Sequence, residues 1–278
     1  MSQLSTKMPT PDEVGRYYDQ MAGFYKTVLG ENIHVGYWRD ANDRSSNADA
    51  QDRLTDLMIE HVKVGHGDRV LDVGCGTGRP AVRLSEATGA SVLGITPSEA
   101  QVAAFNARAQ AAGVANRVVA KVGDAMSLTV GDGLMNGAWA LESLLHMPDR
   151  RVVLKEIYRT LKPGARLVLT DLTEDQPLND EERSMFYASF LLSSLLTQAE
   201  YPALVESAGF RVLQSFDIGP NTRRTIEISG ETLRQNQAKL TELYGPEFVA
   251  QIMMAWPLMA NIQINKLGYL LLVAEKPL

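Results

Sequence analysis

The residues best suited to chemistry form a glycine-rich turn between a buried strand and a helix. The turn reads Asp72-Val73-Gly74-Cys75-Gly76-Thr77-Gly78. Gly74 and Gly76 permit a tight turn and a close approach of a ligand to the backbone, and N–H groups at a helix start bind polar or anionic groups. The spacing differs from the G-x-G-x-x-G dinucleotide fingerprint. A ligand carrying an ammonium for Asp72 and a carboxylate for the amides therefore fits better than a pyrophosphate. A turn that binds nothing is the alternative, and the strand–turn–helix context favours binding.

Three further polar residues follow predicted strands. Glu142 and His146 come after the fourth strand, and Asp171 lies at the end of the fifth. Ligands of open parallel sheets gather at the carboxyl ends of the strands, so we assign all three to a candidate catalytic group, with His146 as a possible base. The alternatives are a structural histidine beside Pro148 and a capping role for Asp171.

An aromatic helix is predicted near the N-terminus. Thr10 fits an N-cap before Pro11, and Tyr17, Tyr18 and Tyr25 follow at roughly helical spacing. Such a surface must cover the domain body, a ligand or a neighbouring subunit. We predict that these tyrosines close a substrate pocket, with Tyr18 in the catalytic group. A homo-oligomer with an exchanged N-terminal helix is one way to arrange this.

Strands alternate with helices through the middle of the chain, which predicts an α/β fold with a parallel sheet. Predicted strands cover 69–73, 91–95, 117–122, 137–141 and 165–172, and predicted helices cover 78–87, 98–112 and 149–161. Further helices are expected over 179–196, 200–208 and most of 222–264, and further strands over 210–216 and 269–274. The chain then divides into an N-terminal helical segment (1–62), a cofactor-binding core (63–172), and cap helices with two late strands (173–278).

Composition excludes several classes of function. The chain has 278 residues and a net charge of −6, from 27 Lys and Arg against 33 Asp and Glu, which disfavours nucleic-acid binding. One cysteine and four histidines leave little material for a metal site, so no metal is expected. No apolar run approaches the ~20 residues of a membrane span, and the N-terminus lacks a signal-peptide core. We expect a cytoplasmic protein.

The glycine turn and the segment Gly123–Met126 together resemble class I S-adenosylmethionine-dependent methyltransferases. The resemblance implies a Rossmann-like sheet of seven strands with a reversed last strand, and S-adenosylmethionine as cofactor with S-adenosylhomocysteine as product. Asp72, Gly74, Gly76 and Gly78 would then cradle the methionine part. By the same resemblance, the adenine and ribose contacts fall to a further group of residues: Asp124 and Ala125 for adenine, Thr96 and Gln101 for ribose.

A closer resemblance is to small-molecule methyltransferases of natural-product biosynthesis. It is carried by the segments Glu31–Trp38 and Trp139–Asp149. Teleocidin-type prenyl-indolactam C-methyltransferases and rebeccamycin-type sugar O-methyltransferases share this layout. It implies that Tyr37 and Trp38 approach the cofactor, where an aromatic face stabilises a sulfonium.

The acceptor is expected to be a hydrophobic small molecule, with Phe186, Phe190 and Trp256 lining its pocket. Rebeccamycin-type enzymes carry two adjacent histidines where this chain has Leu145-His146. We therefore favour C-methylation of a prenyl double bond, with or without cyclisation of the resulting carbocation, which requires an apolar, water-poor site. O-methylation of a sugar or hydroxyl with His146 as base is the alternative. A non-catalytic cofactor-binding module is the alternative from another class.

Overall fold

A seven-stranded sheet forms the centre of the molecule. The structure is a computed structural model and describes residues 8–278. The strand order is β3-β2-β1-β4-β5-β7-β6, and β7 runs antiparallel to both β5 and β6. The strands are β1 Arg69–Val73, β2 Ser91–Thr96, β3 Val118–Val122, β4 Met135–Leu141, β5 Leu161–Glu174, β6 Arg211–Asp217 and β7 Leu267–Glu275. The predicted α/β sheet with a reversed last strand is confirmed.

Eleven helices of the described chain cover the sheet and its carboxyl edge. They are α1 Pro11–Val28, α2 Asn47–Val62, α3 Arg79–Thr88, α4 Glu99–Ala111, α5 Arg150–Thr160, α6 Asp180–Phe190, α7 Glu200–Ser207, α8 Gly219–Thr222, α9 Arg224–Gln235, α10 Gln237–Tyr244 and α11 Pro246–Asn265. A single 3₁₀ turn, Leu144–His146, follows β4. In the described part of the chain, no helix combines the length and the apolar character that crossing a bilayer requires.

The buried core explains why the central strands form. Leu71, Val168 and Leu272 are fully buried, and apolar side chains from both faces of the sheet pack against the flanking helices. Strands buried on both faces are expected to be almost continuously apolar, as β7 and the Leu167–Leu169 part of β5 are. The same pattern made these strands recognisable in the sequence, with ends that lie within a few residues of the predicted ones at β1 and β2.

One predicted helix ends early. The sequence predicts a helix over 179–196, but α6 ends at Phe190 because Leu191 adopts a left-handed conformation with φ of 50°. A non-glycine residue in this region is uncommon and stops a helix. The chain from Leu191 to Leu196 instead returns towards β5, where Leu196 bridges Thr173.

Helix α1 lies across the edge of the sheet where the parallel strands end. Thr10 and Glu13 form a capping box at its start, as the sequence indicated for Thr10. Gly15 contacts the carbonyl of Pro97 so closely that a Cβ there would lie 2.9 Å from the oxygen, and Gly23 packs on the Tyr244 hydroxyl. The helix therefore covers both the α4 side and the α10 side of its own chain, and self-association stays a prediction.

Candidate active site

The glycine turn has a shape that side chains would disrupt. Gly74, Gly76 and Gly78 have φ values of 75°, 52° and 82°, in the left-handed region that favours glycine. A Cβ on Gly74 would overlap the Cβ of Ser143, and one on Gly78 would lie 2.5 Å from the Phe105 ring. The turn therefore depends on both backbone conformation and close packing.

Only part of the turn's backbone is free for a ligand. The N–H groups of Gly74 and Cys75 donate to the carbonyl of Ile95 at 2.8 and 3.2 Å, and that of Gly78 donates to Cys75. Within residues 8–278, the amides of Gly76 and Thr77 make no hydrogen bond. These two amides can therefore donate to a carboxylate. Of the three glycines predicted to hold the methionine part, Gly76 alone keeps an unbonded amide within residues 8–278.

Asp72 lies beside this turn and lines the same cleft, which has a volume of about 1020 Å³. The residue is 3% exposed, and burial raises the pKa of its carboxyl to about 7. A buried carboxylate is stabilised by a cation. Its position beside two free amides therefore fits the ammonium and carboxylate of an amino acid, the methionine part of S-adenosylmethionine.

The opposite part of the cleft has groups for an adenosine. The Thr96 hydroxyl donates to Gln101 Oε1 at 2.6 Å, which leaves the Gln101 amide nitrogen able to donate to a ligand in the cleft. Thr96 thus positions Gln101. Asp124 accepts from the backbone N–H of Met126 through one carboxylate oxygen, and both Asp124 and Ala125 line the cleft.

Three predicted cofactor residues do not line the cleft. The expectation for Tyr37 and Trp38 is not met: the Tyr37 N–H donates to Ala50, and Trp38 is buried with its ring beneath the Arg224 guanidinium, 5.8 Å away. The segment brings Ile33 to the cleft instead. Gly78 serves the turn rather than the ligand, as the N-cap of α3.

A second cavity of about 1060 Å³ lies beneath α1, α6, α9 and α11. Of the residues predicted for the substrate pocket, four line it: Tyr25, Phe186, Phe190 and Trp256. Tyr17 does not, because its hydroxyl is turned to Tyr25 at 2.7 Å and to the carbonyl of Ser189 at 3.0 Å. Aromatic and aliphatic side chains make up most of the remaining wall, which suits a hydrophobic molecule.

The two cavities share one wall. Four side chains line both of them: Tyr18, Ile33, Glu142 and His146. A methyl group that moves from the cofactor cleft to the second cavity must pass between these four side chains. They are therefore the candidates for contact with the reacting atoms. Tyr18, Glu142 and His146 were predicted as catalytic from the sequence.

His146 is held in one protonation state. Its Nδ1 lies 3.1 Å from the carbonyl oxygen of Leu191, which only accepts, so Nδ1 carries the proton. Burial lowers the pKa of His146 to about 4, so the ring is neutral at neutral pH. Nε2 is then an acceptor, and it takes a hydrogen bond of 2.7 Å from the Tyr18 hydroxyl. Burial also raises the pKa of Tyr18 well above its ordinary value.

Glu142 joins β4 to the 3₁₀ turn in a left-handed conformation, with φ of 49°. Its Oε1 accepts from the Val35 N–H at 2.8 Å and from the Tyr269 hydroxyl at 2.5 Å. Burial raises the pKa of the carboxyl to about 7. Strain of this kind is common where a side chain must point into a site, and here it directs a carboxylate to the shared wall.

Asp171 lies outside both cavities. Its carboxylate is fully buried and accepts from the Tyr201 hydroxyl at 2.7 Å and from the Leu172 N–H at 3.1 Å. Burial raises its pKa to about 6. The expected direct contact with the acceptor is thus not supported, because Asp171 faces α7 rather than the substrate.

Sequence reasoning missed several cavity residues. Ile33 lies within the segment Glu31–Trp38, of which only the aromatic residues Tyr37 and Trp38 were assigned to the site from the sequence. Tyr269 and Arg223 line the second cavity from β7 and the start of α9. In the sequence, Tyr269 cannot be distinguished from the apolar residues of its strand. The position of Arg223 fits no motif or spacing that would indicate a function.

The fold and the cleft together define an S-adenosylmethionine-binding α/β protein. Residues 70–164 match the family model described as a methyltransferase domain. The (+)-O-methylkolavelool synthase of Herpetosiphon aurantiacus is 37% identical over 99% of both chains, and the 27-O-demethylrifamycin SV methyltransferase of Amycolatopsis mediterranei is 36% identical over 97% of this chain and 98% of its own. The solved structure of the [4+2]-cyclase SpnF is 32% identical, with a TM-score of 0.85, over 97% of this chain and 98% of that one.

This chain belongs to the S-adenosylmethionine-dependent methyltransferases. More particularly, it is a methyltransferase of secondary metabolism, with S-adenosylmethionine as its cofactor. The alternative of a non-catalytic module is set aside.

Proposed function

We propose that this enzyme transfers a methyl group to a hydroxyl oxygen of a hydrophobic secondary metabolite. One observation carries the proposal. His146 is neutral, and its Nε2 accepts a hydrogen bond from Tyr18 at the wall shared by the cofactor cleft and the apolar cavity. A neutral imidazole whose acceptor nitrogen is hydrogen-bonded to a tyrosine hydroxyl can receive the proton of an alcohol through that tyrosine, and an alkene does not need such a base.

Bound S-adenosylmethionine supplies a methyl group on a positively charged sulfur. The chain's own residues position the acceptor and receive its proton. The acceptor hydroxyl donates to the Tyr18 oxygen while Tyr18 donates to His146 Nε2. As the new C–O bond replaces the methyl–sulfur bond, whose electron pair stays on the sulfur, the acceptor proton passes to Tyr18 and the Tyr18 proton passes to His146. The Leu191 carbonyl holds the Nδ1–H of the resulting imidazolium.

The low pKa of His146 is compatible with this role. An ether oxygen that still carries the alcohol proton is a much stronger acid than an imidazolium, so a base with a pKa of about 4 can take that proton. The low value also keeps the base free at neutral pH, when an unperturbed histidine would be partly protonated.

Positioning contributes as much as proton transfer. Orientation of two bound reactants lowers a barrier by about 7–11 kcal/mol. The apolar wall keeps water from competing with the acceptor for the methyl group, and α1 covers both cavities with Tyr18 between them. The names of the two relatives, which refer to an O-methyl product and an O-demethyl substrate, also favour oxygen as the acceptor atom.

Carbon methylation of an alkene is the second candidate. It is favoured by the aromatic lining of the substrate cavity, including Tyr25, Phe186, Phe190 and Trp256. Aromatic faces stabilise a carbocation without reacting with it, as the prediction from sequence required. In that reaction His146 would act only after methyl transfer, if at all.

The test combines labelled methyl transfer with two variants. Hydrophobic alcohols and prenylated compounds are incubated with methyl-deuterated S-adenosylmethionine, and tandem mass spectrometry locates the label. We expect the label on oxygen and a fall in kcat of about 10²–10⁴-fold in His146→Ala, with a fall of similar size in Tyr18→Phe, because the proton reaches His146 through the Tyr18 hydroxyl. The affinity for S-adenosylhomocysteine should be unchanged. His66→Ala, which alters an exposed histidine outside both cavities, is the control.

The pH profile gives a second readout. Because the pKa of His146 is lowered to about 4, kcat should stay level as pH falls through 6.5 and should decline only near pH 4 to 5. A label on carbon, together with full activity in His146→Ala, would contradict O-methylation and support the second candidate.

A further inference from the structure

Four side chains with hydrogen-bond donors line the substrate cavity but not the cofactor cleft. They lie on α9, on α11 and at the residue before α9, and they are Arg223, Ser229, Trp256 and Gln263. The other lining residues of the cavity are mostly apolar.

Ser229 presents an unbonded hydroxyl to the cavity. The residue is 4% exposed and lines the cavity, and its hydroxyl makes no hydrogen bond within residues 8–278. Its oxygen is accessible from the cavity rather than enclosed by protein. The hydroxyl can therefore bond to a molecule that occupies the cavity.

Two neighbours extend the same surface. A Cβ on Gly230, the residue after Ser229, would lie 2.5 Å from Trp256 Nε1, so the indole N–H packs against α9 at Gly230. That N–H makes no hydrogen bond in the described part of the chain. The Gln263 amide makes one weak contact, 3.4 Å from the Met259 carbonyl.

Arg223 supplies the charge. Among the described residues that line this cavity, Arg223 is the one arginine or lysine, and its guanidinium forms no ion pair or hydrogen bond with residues 8–278. Glu142, the one acidic residue of the lining, lies at the shared wall. Among residues 8–278, the one positive side chain in this lining is thus Arg223, and the one negative side chain is Glu142.

We propose that these donors form an anchoring site for a carboxylate carried by the acceptor, remote from the hydroxyl that is methylated. Guanidinium and indole groups donate and do not accept, so the site fits an oxygen group that only accepts. The substrate class is then a hydrophobic hydroxy acid. This inference rests on the proposed function, because it takes the hydroxyl end to lie at Tyr18 and His146.

Binding measurements test the anchoring site separately from catalysis. The protein is saturated with S-adenosylhomocysteine and titrated calorimetrically with ω-hydroxyalkanoic acids of about 8 to 16 carbons, their methyl esters, and 1-alkanols of matching length. We expect the acid to bind about tenfold more tightly than the alkanol at the best chain length, with the ester between them. The preference should shrink between about 20 and 500 mM NaCl, because Arg223 is exposed and its charge is screened.

Variants identify the groups responsible. Arg223→Gln should lower acid affinity about tenfold without changing alkanol affinity, and Ser229→Ala should lower it about threefold. Arg234→Gln is the matched control: it removes the same charge from α9, the helix that Arg223 precedes, at an exposed residue paired with Glu231 outside the cavity. Acid and alkanol should bind this control as they bind the wild type.

Three results would overturn the anchoring site: equal affinity for acid and alkanol, no binding of any acid, or an equal loss in Arg223→Gln and Arg234→Gln. These outcomes are distinct from a failure of the proposed function. Methyl transfer to alkanols can persist without any preference for acids, and a preference for acids can be measured in a protein that methylates carbon.

Discussion

The cofactor cleft and the substrate cavity are built in different ways. The cleft comes mainly from four short stretches that follow strand ends, at 72–80, 95–101, 123–126 and 141–148. The substrate cavity draws on helices and a strand that lie as far apart in the chain as Tyr18 and Tyr269. The first site depends on backbone shape and the second on side-chain volume, so substitutions should act differently in the two regions.

Gly74→Ala should give the largest effect, because it attacks backbone shape. The left-handed conformation costs a non-glycine residue about 1–2 kcal/mol, and the overlap with Ser143 adds about 1–3 kcal/mol. We expect a loss of about 2–5 kcal/mol in the free energy of unfolding, together with loss of S-adenosylhomocysteine binding. Urea denaturation and calorimetry measure these.

Gly113→Ala is the matched control for that variant. Gly113 has φ of 70°, and a Cβ there would have no heavy atom within 4 Å. Gly113→Ala should lower the free energy of unfolding only by the conformational contribution, about 1–2 kcal/mol. It should bind S-adenosylhomocysteine normally. Equal losses in the two variants would show that close packing at the turn is unimportant.

Asp72→Asn should give the next largest effect, through charge. Burial raises the pKa of Asp72 to about 7, and an ammonium ligand needs the ionised form. Raising the pH from 6 to 8 ionises the carboxyl, so affinity for S-adenosylmethionine should rise about tenfold in the wild type. The variant should bind about 10–100-fold more weakly at pH 8, and its affinity should show a smaller rise.

Glu142 requires a companion variant in that experiment. It lines the same cleft, and burial raises its pKa to about 7 as well. Glu142→Gln should keep the part of the pH-dependent rise that belongs to Asp72. If Glu142→Gln abolishes the rise and Asp72→Asn preserves it, the ammonium assignment of Asp72 is wrong.

Phe190→Ala tests side-chain volume in the other region. Phe190 lines the substrate cavity and packs on Phe186, with ring centroids 4.9 Å apart. Removing the ring should raise KM for a hydrophobic acceptor about tenfold, because contact area with the acceptor is lost. The dissociation constant of S-adenosylhomocysteine should stay constant, and a parallel change in it would contradict the separation of the two regions.

Tyr17→Phe should have the smallest effect. The Tyr17 hydroxyl bonds to Tyr25 within α1 and joins this helix to α6 at the Ser189 carbonyl, but Tyr17 does not line the cavity. Its loss should lower the free energy of unfolding by about 0.5–1.5 kcal/mol, measured by urea denaturation. A hundredfold fall in kcat would instead show that Tyr17 reaches the acceptor.

The same contrast explains what the sequence could predict. The cleft was largely predictable from Asp72, the glycine turn and Asp124, because short motifs record local backbone shape. Trp38 was assigned to the cofactor because its chemistry suits a sulfonium, but side-chain direction in an irregular segment depends on the packing around it. The sequence also could not show that Asp171 faces Tyr201, since α7 follows Asp171 by about 30 residues and its docking is a tertiary event.

The left-handed backbone of Leu191 has a consequence for engineering. It turns a cap-helix carbonyl towards Nδ1 of His146, so the tautomer of the imidazole is set by a residue that also reverses the chain. Exchanging α6 with a homologue to change acceptor range would detune the imidazole unless the graft junction preserves this turn. Chimeras joined downstream of Ser193, which donates to the Leu145 carbonyl, would carry the turn and its receiving loop contact as one unit.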